Sequence, residues 1–216
     1  MSALLLNAPQ REAIHYLDGP SLVLAGAGSG KTRVITQKIA YLITECGFNP
    51  ANIAAITFTN KAAKEMVERI NKLMGGRATK GLVVCTFHAL GVRIVRQEAQ
   101  LLGLKPQFSI LDSSDTTQII SEMIGSTDKN RAKAIQWQIS SWKNALIEPN
   151  EAAQLANDEV ASSAALLYQE YDKTLRAYQG VDFDDLIRLP VKIFDEHPEV
   201  RERWQNKLRY LLVDEY

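Results

Sequence analysis

Apolar residues in the first hundred positions follow two alternating periods. Short apolar runs at Leu22–Ala25, Ile53–Thr57 and Leu82–Thr86 have the length of buried strands. Between these runs, apolar residues recur every three or four positions, which is typical of helices. The residues that carry this period are Val34, Ile35, Ile39, Leu42 and Ile43, followed by Ala62, Ala63, Met66, Ile70 and Leu73. Such repetition of strand and helix predicts a buried parallel sheet.

The pattern changes after Pro106, where helical periods dominate and strand signals become rare. Asp112 is a predicted N-cap. Apolar residues then occupy two predicted helix faces: Ile135, Ile139, Trp142 and Leu146 on one, and Leu166, Leu167, Tyr171 and Leu175 on the other. The run Tyr210–Asp214 returns to a strand pattern. We therefore expect an α/β fold with three parts: a core over 1–104, an all-helical inserted subdomain over 105–195, and a return to the core over 196–216.

Composition narrows the class of protein. The 216 residues are 46% hydrophobic and 23% charged, with a formal net charge of zero, which is typical of a soluble globular protein. We find no apolar run of membrane-spanning length and no signal peptide, so we expect a cytoplasmic protein with no membrane partner. We expect the two cysteines to be reduced, structural thiols. The three histidines are scattered along the chain without the spacing of metal ligands, so we do not expect a metal site made by protein ligands alone.

A glycine-rich segment directly after the first predicted strand carries the strongest chemical signal. Residues 25–32 read Ala-Gly-Ala-Gly-Ser-Gly-Lys-Thr, and a predicted helix begins at about Lys31. Glycines let successive backbone N–H groups converge on an anion at a helix N-terminus. Lys31 is suited to the β- and γ-phosphates of a nucleotide, and the Thr32 hydroxyl to Mg²⁺. The alternative is an ordinary flexible turn, which the register of strand, turn and helix disfavours.

A second signal lies at the carboxyl end, where an apolar strand ends in Asp214 and Glu215. The first acid is suited to Mg²⁺ and the second to accepting a proton from an attacking water. Taken alone, this pattern is more typical of a solvated strand end. Together with the phosphate loop on one sheet, it predicts hydrolysis of a nucleoside triphosphate, with Lys31, Thr32, Asp214 and Glu215 as the catalytic residues.

Several motifs together resemble the Rep/UvrD/PcrA group of superfamily 1 DNA helicases. They are Leu6–Gln10 (Q motif), Leu24–Arg33 (motif I), Thr57–Ala63 (motif Ia), Thr86–His88 (motif Ib), Asp182–Leu186, and Val213–Tyr216 (start of motif II). Trp142–Asn144 and Trp204–Lys207 are more similar to Rep-type members. The resemblance implies a RecA-like P-loop NTPase domain (1A) carrying the helical subdomain (1B). It also implies an ATP- and Mg²⁺-dependent motor that moves 3′ to 5′ on single-stranded DNA in replication or repair, with proteins of those pathways as potential partners.

The resemblance also implies roles for individual residues. Gln10 would read adenine, Arg33 would help hold the nucleotide, and Thr32 with Asp214 would hold Mg²⁺. The full nucleotide-binding set is Gln10, Ala25, Gly26, Ala27, Gly28, Ser29, Gly30, Lys31, Thr32 and Arg33. The set implied for DNA is Phe58, Thr59, Asn60, Lys61, Thr86 and His88.

Three of these residues have structural alternatives. Gln10 lies three residues after Asn7 and fits a capping box. Phe58 at a strand end fits the core, although an exposed aromatic there could stack on a base. His88 fits a hydrogen-bonded structural histidine. A basic stretch between 60 and 80 fits either phosphate contacts or a solvated helix face; its cations are Lys61, Lys64, Arg69, Lys72, Arg77 and Lys80.

The motifs end within motif II, so we expect this chain to be the N-terminal part of a longer helicase that binds ATP weakly and hydrolyses it poorly. Two alternatives remain open. A small kinase would share the phosphate loop but would not explain the Asp214–Glu215 pair or the Phe58–Lys61 segment. A nucleotide- and DNA-binding module would have no activity of its own.

Overall fold

The fold was analysed in a computed structural model that describes residues 6–75 and 79–215. The chain divides into two compact units, one formed by residues 1–87 and 199–216 and the other by residues 88–198. The sequence places domain boundaries at 104/105 and 195/196, and that domain assignment stays a prediction. Arg77 of the basic stretch and Tyr216 of the last motif lie outside the described residues.

The first unit is built on a three-stranded parallel sheet with the order β2–β1–β5. Its strands are β1 (Ile53–Thr57), β2 (Val83–Thr86) and β5 (Tyr210–Val213). All five residues of β1 are buried, because β1 has a neighbouring strand on each side. The predicted α/β class with a parallel sheet is therefore confirmed.

The unit also contains helices, among them the two that the apolar period predicts. The helices are α1 (Ala8–His15), α2 (Lys31–Thr44), α3 (Asn60–Met74) and α10 (Pro198–Lys207), the last starting at the end of the second unit. The core between helices and sheet contains Ile39 and Leu42 from α2 and Met66 and Ile70 from α3, all almost completely buried. This packing positions the start of α2 and the end of β1, and predicted site residues lie at both places.

The predicted strand at Leu22–Ala25 is wrong. Residues 21–26 have no regular secondary structure, and Leu22, Val23 and Leu24 are 66%, 48% and 86% exposed. A strand needs a hydrogen-bonded partner. Among the described residues, each neighbour of β1 in the sheet is already β2 or β5, and neither of those pairs with this segment.

The second unit is mainly helical. It contains α4 (Phe87–Gln97, which starts one residue before the unit), α5 (Ser113–Met123), α6 (Lys129–Asn144), α7 (Pro149–Leu155), α8 (Glu159–Ala177) and α9 (Asp185–Glu196). Asp112 is the N-cap of α5, as expected. It forms a capping box with Asp115, in which each carboxylate accepts from the backbone amide of the other residue. The unit is not all-helical, because β3 (Ser109–Ile110) and β4 (Gly180–Val181) pair in parallel.

The core of the second unit lies between α5, α6, α7 and α8. Ile135, Ile139 and Trp142 are buried there as predicted, and so are Tyr171 and Leu175. Two predicted core positions are wrong: Leu146 is 49% exposed with a φ of 58°, past the end of α6, and Leu166 is 84% exposed. Within residues 6–75 and 79–215, we find no helix with the length and apolar character that crossing a membrane requires.

Candidate nucleotide-binding site

The phosphate loop directly precedes α2 and is shaped by two glycines. Gly28 and Gly30 have φ angles of 74° and 89°, in the left-handed region that favours glycine. Gly30 is the N-cap of α2 and has no side chain to bind the first amide groups of the helix, so those amides stay available to an anion. The loop thus has the conformation that its glycine spacing predicts.

Lys31, the first residue of α2, folds back over the loop. Its Nζ donates to the carbonyl oxygens of Ala25 and Gly26 at 3.0 and 3.1 Å. These two contacts hold the ammonium group beside the loop. A phosphate oxygen bound there would compete with the two carbonyls for the same donors.

The Thr32 hydroxyl donates to Oδ2 of Asp214 at 3.0 Å, joining residues 182 positions apart in sequence. Asp214 follows β5 and is 7% exposed, and its own amide donates to the carbonyl of Ile56 in β1 at 2.8 Å. Glu215 comes next, is exposed, and has a φ of 60°. The structure therefore brings the phosphate loop and the first acid of the carboxyl-terminal pair into direct contact.

These two side chains fit a magnesium ion. Mg²⁺ binds oxygen ligands at 2.0–2.1 Å in octahedral geometry, so two adjacent ligands lie about 2.9 Å apart. The two oxygens of Thr32 and Asp214 are 3.0 Å apart. A hydroxyl and a carboxylate are also the oxygen ligands that Mg²⁺ prefers over nitrogen or sulfur.

Gln10 forms its predicted capping box and also contacts the phosphate loop. The side-chain Oε1 of Gln10 accepts from the backbone amide of Asn7 at 3.0 Å, and the backbone amide of Gln10 donates to Asn7 Oδ1 at 2.9 Å. These two hydrogen bonds form the capping box of α1. Gln10 Nε2 donates to the Ser29 carbonyl of the phosphate loop at 2.9 Å. The predicted capping box is thus confirmed, and in this conformation the side-chain NH₂ group of Gln10 reaches the phosphate loop. The reading of adenine by Gln10 stays a prediction.

Lys38 holds α1 in this position. Its Nζ donates to the carbonyls of Ala13 and Tyr16, at the C-terminal end of α1, at 2.8 and 2.7 Å. A cation binds well there, because unpaired carbonyls give the helix end a negative potential. Burial lowers the pKa of Lys38. Arg33 is half-buried on the first turn of α2, while Ala27 is exposed on the loop.

The predicted DNA residues of the first unit lie where two parallel strands end. Thr57 of β1 pairs with Thr86 of β2, so Phe58 follows directly at the same sheet edge. Phe58 is 76% exposed, and the alternative of a core residue is wrong. Thr59 caps α3 by accepting from the Ala62 amide at 3.1 Å.

Asn60 and Lys61 are exposed on the first turn of α3, whereas Thr86 is buried. Arg69 of the basic stretch lies 3.7 Å from Glu65, so part of its charge is already balanced. His88 belongs to the second unit, where it is exposed and meets Phe183 edge to face at 5.8 Å between ring centroids. The DNA-binding roles of all these residues stay predictions.

Sequence reasoning missed a buried charge cluster in the second unit. Lys143 of α6 is fully buried, and its Nζ lies 2.7 Å from Asp182, 3.1 Å from Asp185 and 3.1 Å from Asp172. A signal was available: Lys143 lies four residues after Ile139, on the buried face of α6. An excess of acids around Phe183 also required a cation.

Arg188 of α9 extends this cluster. It contacts Asp172 at 2.9 Å, Asp185 at 3.3 Å and Glu148 at 3.1 Å, and it is nearly buried. The cluster therefore joins side chains from α6, α8 and α9 with the N-cap of α7. Asp182 also accepts a hydrogen bond at 2.9 Å from the backbone amide of Asp185, the first residue of α9.

Burial and the neighbouring charges shift the pKa values of the cluster in opposite directions, and the charges prevail for Lys143 and Asp182. Burial alone would lower the pKa of Lys143, but the charges of Asp185, Asp182 and Asp172 outweigh burial and raise it. Burial would likewise raise the pKa of Asp182, yet the charge and hydrogen bond of Lys143 lower it. For Asp185 burial prevails, and its pKa is raised. The cluster joins side chains of several helices and therefore performs a structural task.

Comparisons with known proteins agree with this geometry. Residues 6–216 match the family described as the UvrD/REP helicase N-terminal domain. The chain is 48% identical over 214 residues to ATP-dependent DNA helicase Rep of Escherichia coli K12, covering 98% of this chain and 32% of that protein. It is 42% identical over 222 residues to ATP-dependent DNA helicase PcrA of Staphylococcus aureus Mu50, covering 100% of this chain and 30% of that protein.

The chain spans about a third of the length of these relatives. The match covers every motif on which the sequence resemblance rests, from Leu6 to Tyr216. This chain belongs to the UvrD/REP helicase N-terminal domain family.

Proposed function

We propose that this chain is the ATP-binding and DNA-contacting N-terminal part of an ATP-dependent DNA helicase. In this proposal the first unit is a RecA-like motor domain (1A) and the helical region is its subdomain 1B. The observation that carries the proposal is the 3.0 Å contact between Thr32 and Asp214, which joins the two halves of a nucleotide–magnesium site. The names of the relatives, ATP-dependent DNA helicases Rep and PcrA, support the same activity.

The residues of the first unit divide the chemistry among them. The amides at the start of α2 and the Lys31 ammonium bind the phosphates, and Thr32 and Asp214 hold Mg²⁺. When bound, Mg²⁺ neutralises charge on the β- and γ-phosphate oxygens. Glu215 is exposed beside Asp214 and accepts the proton of the attacking water. Gln10 and Arg33 bind the rest of the nucleotide.

Lys31 changes partners when phosphate binds. Its present acceptors are two neutral carbonyls, and a phosphate oxygen is a stronger, charged acceptor. The ammonium group moves from the loop carbonyls to the phosphates, so nucleotide binding also releases the loop from its own lysine.

Single-stranded DNA binds at the sheet edge where β1 and β2 end. Phe58 stacks on a base, which contributes about 1–3 kcal/mol and tolerates any sequence. Asn60 and Lys61 face the sugar-phosphate backbone from the first turn of α3. A motor working 3′ to 5′ in the cytoplasm during replication or repair is part of this proposal.

Hydrolysis by this chain alone should be slow. An arginine supplied from another domain or protein accelerates phosphoryl transfer about 10³–10⁵-fold, and the proposal places that arginine in the part of the helicase beyond the region matched here. A turnover by this chain equal to that of an intact helicase and stimulated by single-stranded DNA would contradict this point.

The nucleotide site is tested by binding of a fluorescent ATP analogue to this chain with Mg²⁺ or with a chelator. Lys31→Ala should abolish binding, and Asp214→Asn should remove the Mg²⁺ dependence while keeping the side-chain shape. Lys173→Gln, an exposed lysine of the second unit, is the matched control and should bind as the unchanged chain does. Equal binding by all variants would overturn the site.

The DNA surface is tested by anisotropy of a labelled single-stranded oligonucleotide. Phe58→Ala should weaken binding about tenfold or more because a stacking surface is removed. Tyr178→Ala, an aromatic that is 60% exposed in the second unit, is the control. Lys31→Ala should leave DNA binding unchanged if the two surfaces act separately.

Phosphate release measured with and without oligonucleotide separates the helicase from the kinase alternative. Stimulation by DNA favours the motor. Transfer of phosphate to a small acceptor, with no response to DNA, would favour a kinase.

A further inference from the structure

A groove between α5 and α6 lies in the second unit, and none of its lining residues belongs to the nucleotide site, to the predicted DNA residues or to the buried charge cluster. Its volume is about 940 Å³. The residues that line it are Ser113, Ser114, Thr117, Gln118 and Ser121 on the α5 side and Lys129, Lys133, Ala134, Gln136 and Trp137 on the α6 side. Of these ten described residues, two are lysines and none is a carboxylate.

Trp137 is the most unusual member of the groove. It is 71% exposed, whereas Trp142 and Trp204 are 4% and 5% exposed. An indole has the largest apolar surface of any side chain, and leaving it in water forgoes the free energy that burial would provide. The core of this unit is filled by other side chains, so Trp137 is not needed for packing.

The two lysines share a helix face with Trp137. Lys129, Lys133 and Trp137 are spaced four residues apart on α6, which places them one above the other along the groove. Both lysines are exposed. The face therefore presents two cations followed by one flat aromatic ring.

The opposite wall supplies hydroxyl groups. Ser113 and Ser114 are exposed on the first turn of α5. Two carboxylates at this helix end are caps of α5: Asp112 accepts from the Ser114 and Asp115 backbone amides, and Asp115 accepts from the Asp112 backbone amide. Across the groove, Asp128 caps α6 in the same way through the Asn130 and Arg131 amides. Farther along α5, Glu122 accepts from the lining residue Gln118 at 3.0 Å.

We propose that this groove binds single-stranded nucleic acid, with a base stacked on Trp137 and phosphates held by Lys129 and Lys133. Cations that follow a backbone, together with an aromatic ring that takes a base, form the usual surface for unpaired strands. A duplex keeps its bases stacked on one another and offers none to the indole. The groove would be a second binding surface for the ligand class of the proposed function, in a different unit from Phe58.

The test uses the tryptophan fluorescence of the complete chain during titration with a short thymidine oligonucleotide. Trp137 is the exposed tryptophan of the three, so stacking on it should quench the emission. The titration is made in the Phe58→Ala background, which weakens binding at the first unit. Quenching that saturates in this background is the expected result.

Three variants assign the signal. Trp137→Phe should remove the quenching while keeping most of the affinity, because a phenyl ring still stacks. Trp137→Ala should weaken binding about tenfold. Replacing both Lys129 and Lys133 by Gln should reduce the slope of log affinity against log salt by about 1.4, because each phosphate that a lysine no longer neutralises lowers the slope by about 0.7. Tyr178→Ala and Lys173→Gln, which lie in the same unit outside the groove, should change neither the affinity nor the salt slope.

Other results would overturn the inference. These are no quenching in the Phe58→Ala background, equal quenching by duplex DNA or by an acidic peptide, or a salt slope that Lys173→Gln alters as much as the groove lysines do. Failure here leaves the proposed function standing if Phe58→Ala and Lys31→Ala behave as stated above. Quenching that persists while those two variants have no effect would support the groove and refute the proposed function.

Discussion

At the scale of single residues, the phosphate loop shows how backbone geometry selects an amino acid. Gly30 has a φ of 89°, and a Cβ built on it would lie 3.2 Å from Gln10 Nε2. Gly26 lies in the same loop without a positive φ, and a Cβ there would meet no atom within 4 Å. The folded loop therefore requires a glycine at Gly30 and makes no such demand at Gly26.

We expect Gly30→Ala to lower the free energy of unfolding by about 1–2 kcal/mol, because a Cβ strains the left-handed conformation. Gly26→Ala is the matched control and should change it by less than about 0.5 kcal/mol. Urea denaturation of both variants measures the difference. Equal losses would show that the left-handed geometry of Gly30 does not matter for stability.

At the scale of secondary-structure elements, the segment Leu22–Ala25 shows the limit of local patterns. Four apolar residues before a phosphate loop have every local feature of a strand, yet they are exposed and unpaired in the described structure. A strand is defined by its neighbour, and the sequence of one segment contains no information about whether a neighbour is there.

The exposure of Leu24 allows a test of the segment before the phosphate loop. We expect Leu24→Ser to change the free energy of unfolding by less than about 0.5 kcal/mol, since Leu24 is 86% exposed. Ile56→Ala, in the buried centre of β1, should cost about 2–5 kcal/mol. Thermal or urea denaturation compares the two. A loss for Leu24→Ser close to that for Ile56→Ala would place this segment in the core instead.

The packing of the helices in the second unit depends on Lys143. We expect Lys143→Met to lower the free energy of unfolding by about 3–5 kcal/mol, because Asp182 and Asp185 would lose their buried partner. Lys173→Met is the control; its lysine is 62% exposed, and its loss should cost less than about 0.5 kcal/mol. If both variants unfolded at the same urea concentration, the cluster would contribute no net stability.

At the scale of the whole molecule, positive and negative formal charges balance, but the two units differ in where they place charged side chains. Net charge is zero over the chain, so solubility and long-range attraction give no hint of a partner. The second unit buries several ion pairs at its centre, whereas in the first unit Asp214 follows a strand of the sheet and accepts from the Thr32 hydroxyl.

Stability should therefore fall in acid. The folded-state pKa of Asp182 is lowered, so its contribution is complete above its unfolded pKa of about 4 and is lost as pH falls through the lower folded value. Asp185, whose pKa is raised, opposes this trend. Urea unfolding between about pH 5 and pH 2 should show a decline for the unchanged chain that Asp182→Asn makes shallower. An identical slope in the two proteins would argue against Asp182 as the cause.

The sequence by itself determined the class of fold and the local structure around the phosphate loop. Glycine spacing, helix period and N-cap residues are local properties, so they predicted the phosphate loop, α2, the capping box of α1 and the N-cap of α5. The apolar runs at β1, β2 and β5 were also recognisable, because buried parallel strands are continuous in apolar residues.

Only the tertiary structure decided which distant residues meet. Thr32 and Asp214 are 182 positions apart, and their contact depends on β5 lying beside β1. The same is true of Lys143 with Asp182, of the exposure of Phe58, and of the unpaired segment before the phosphate loop. Each of these depends on a neighbour from elsewhere in the chain, and a local pattern contains no record of that neighbour.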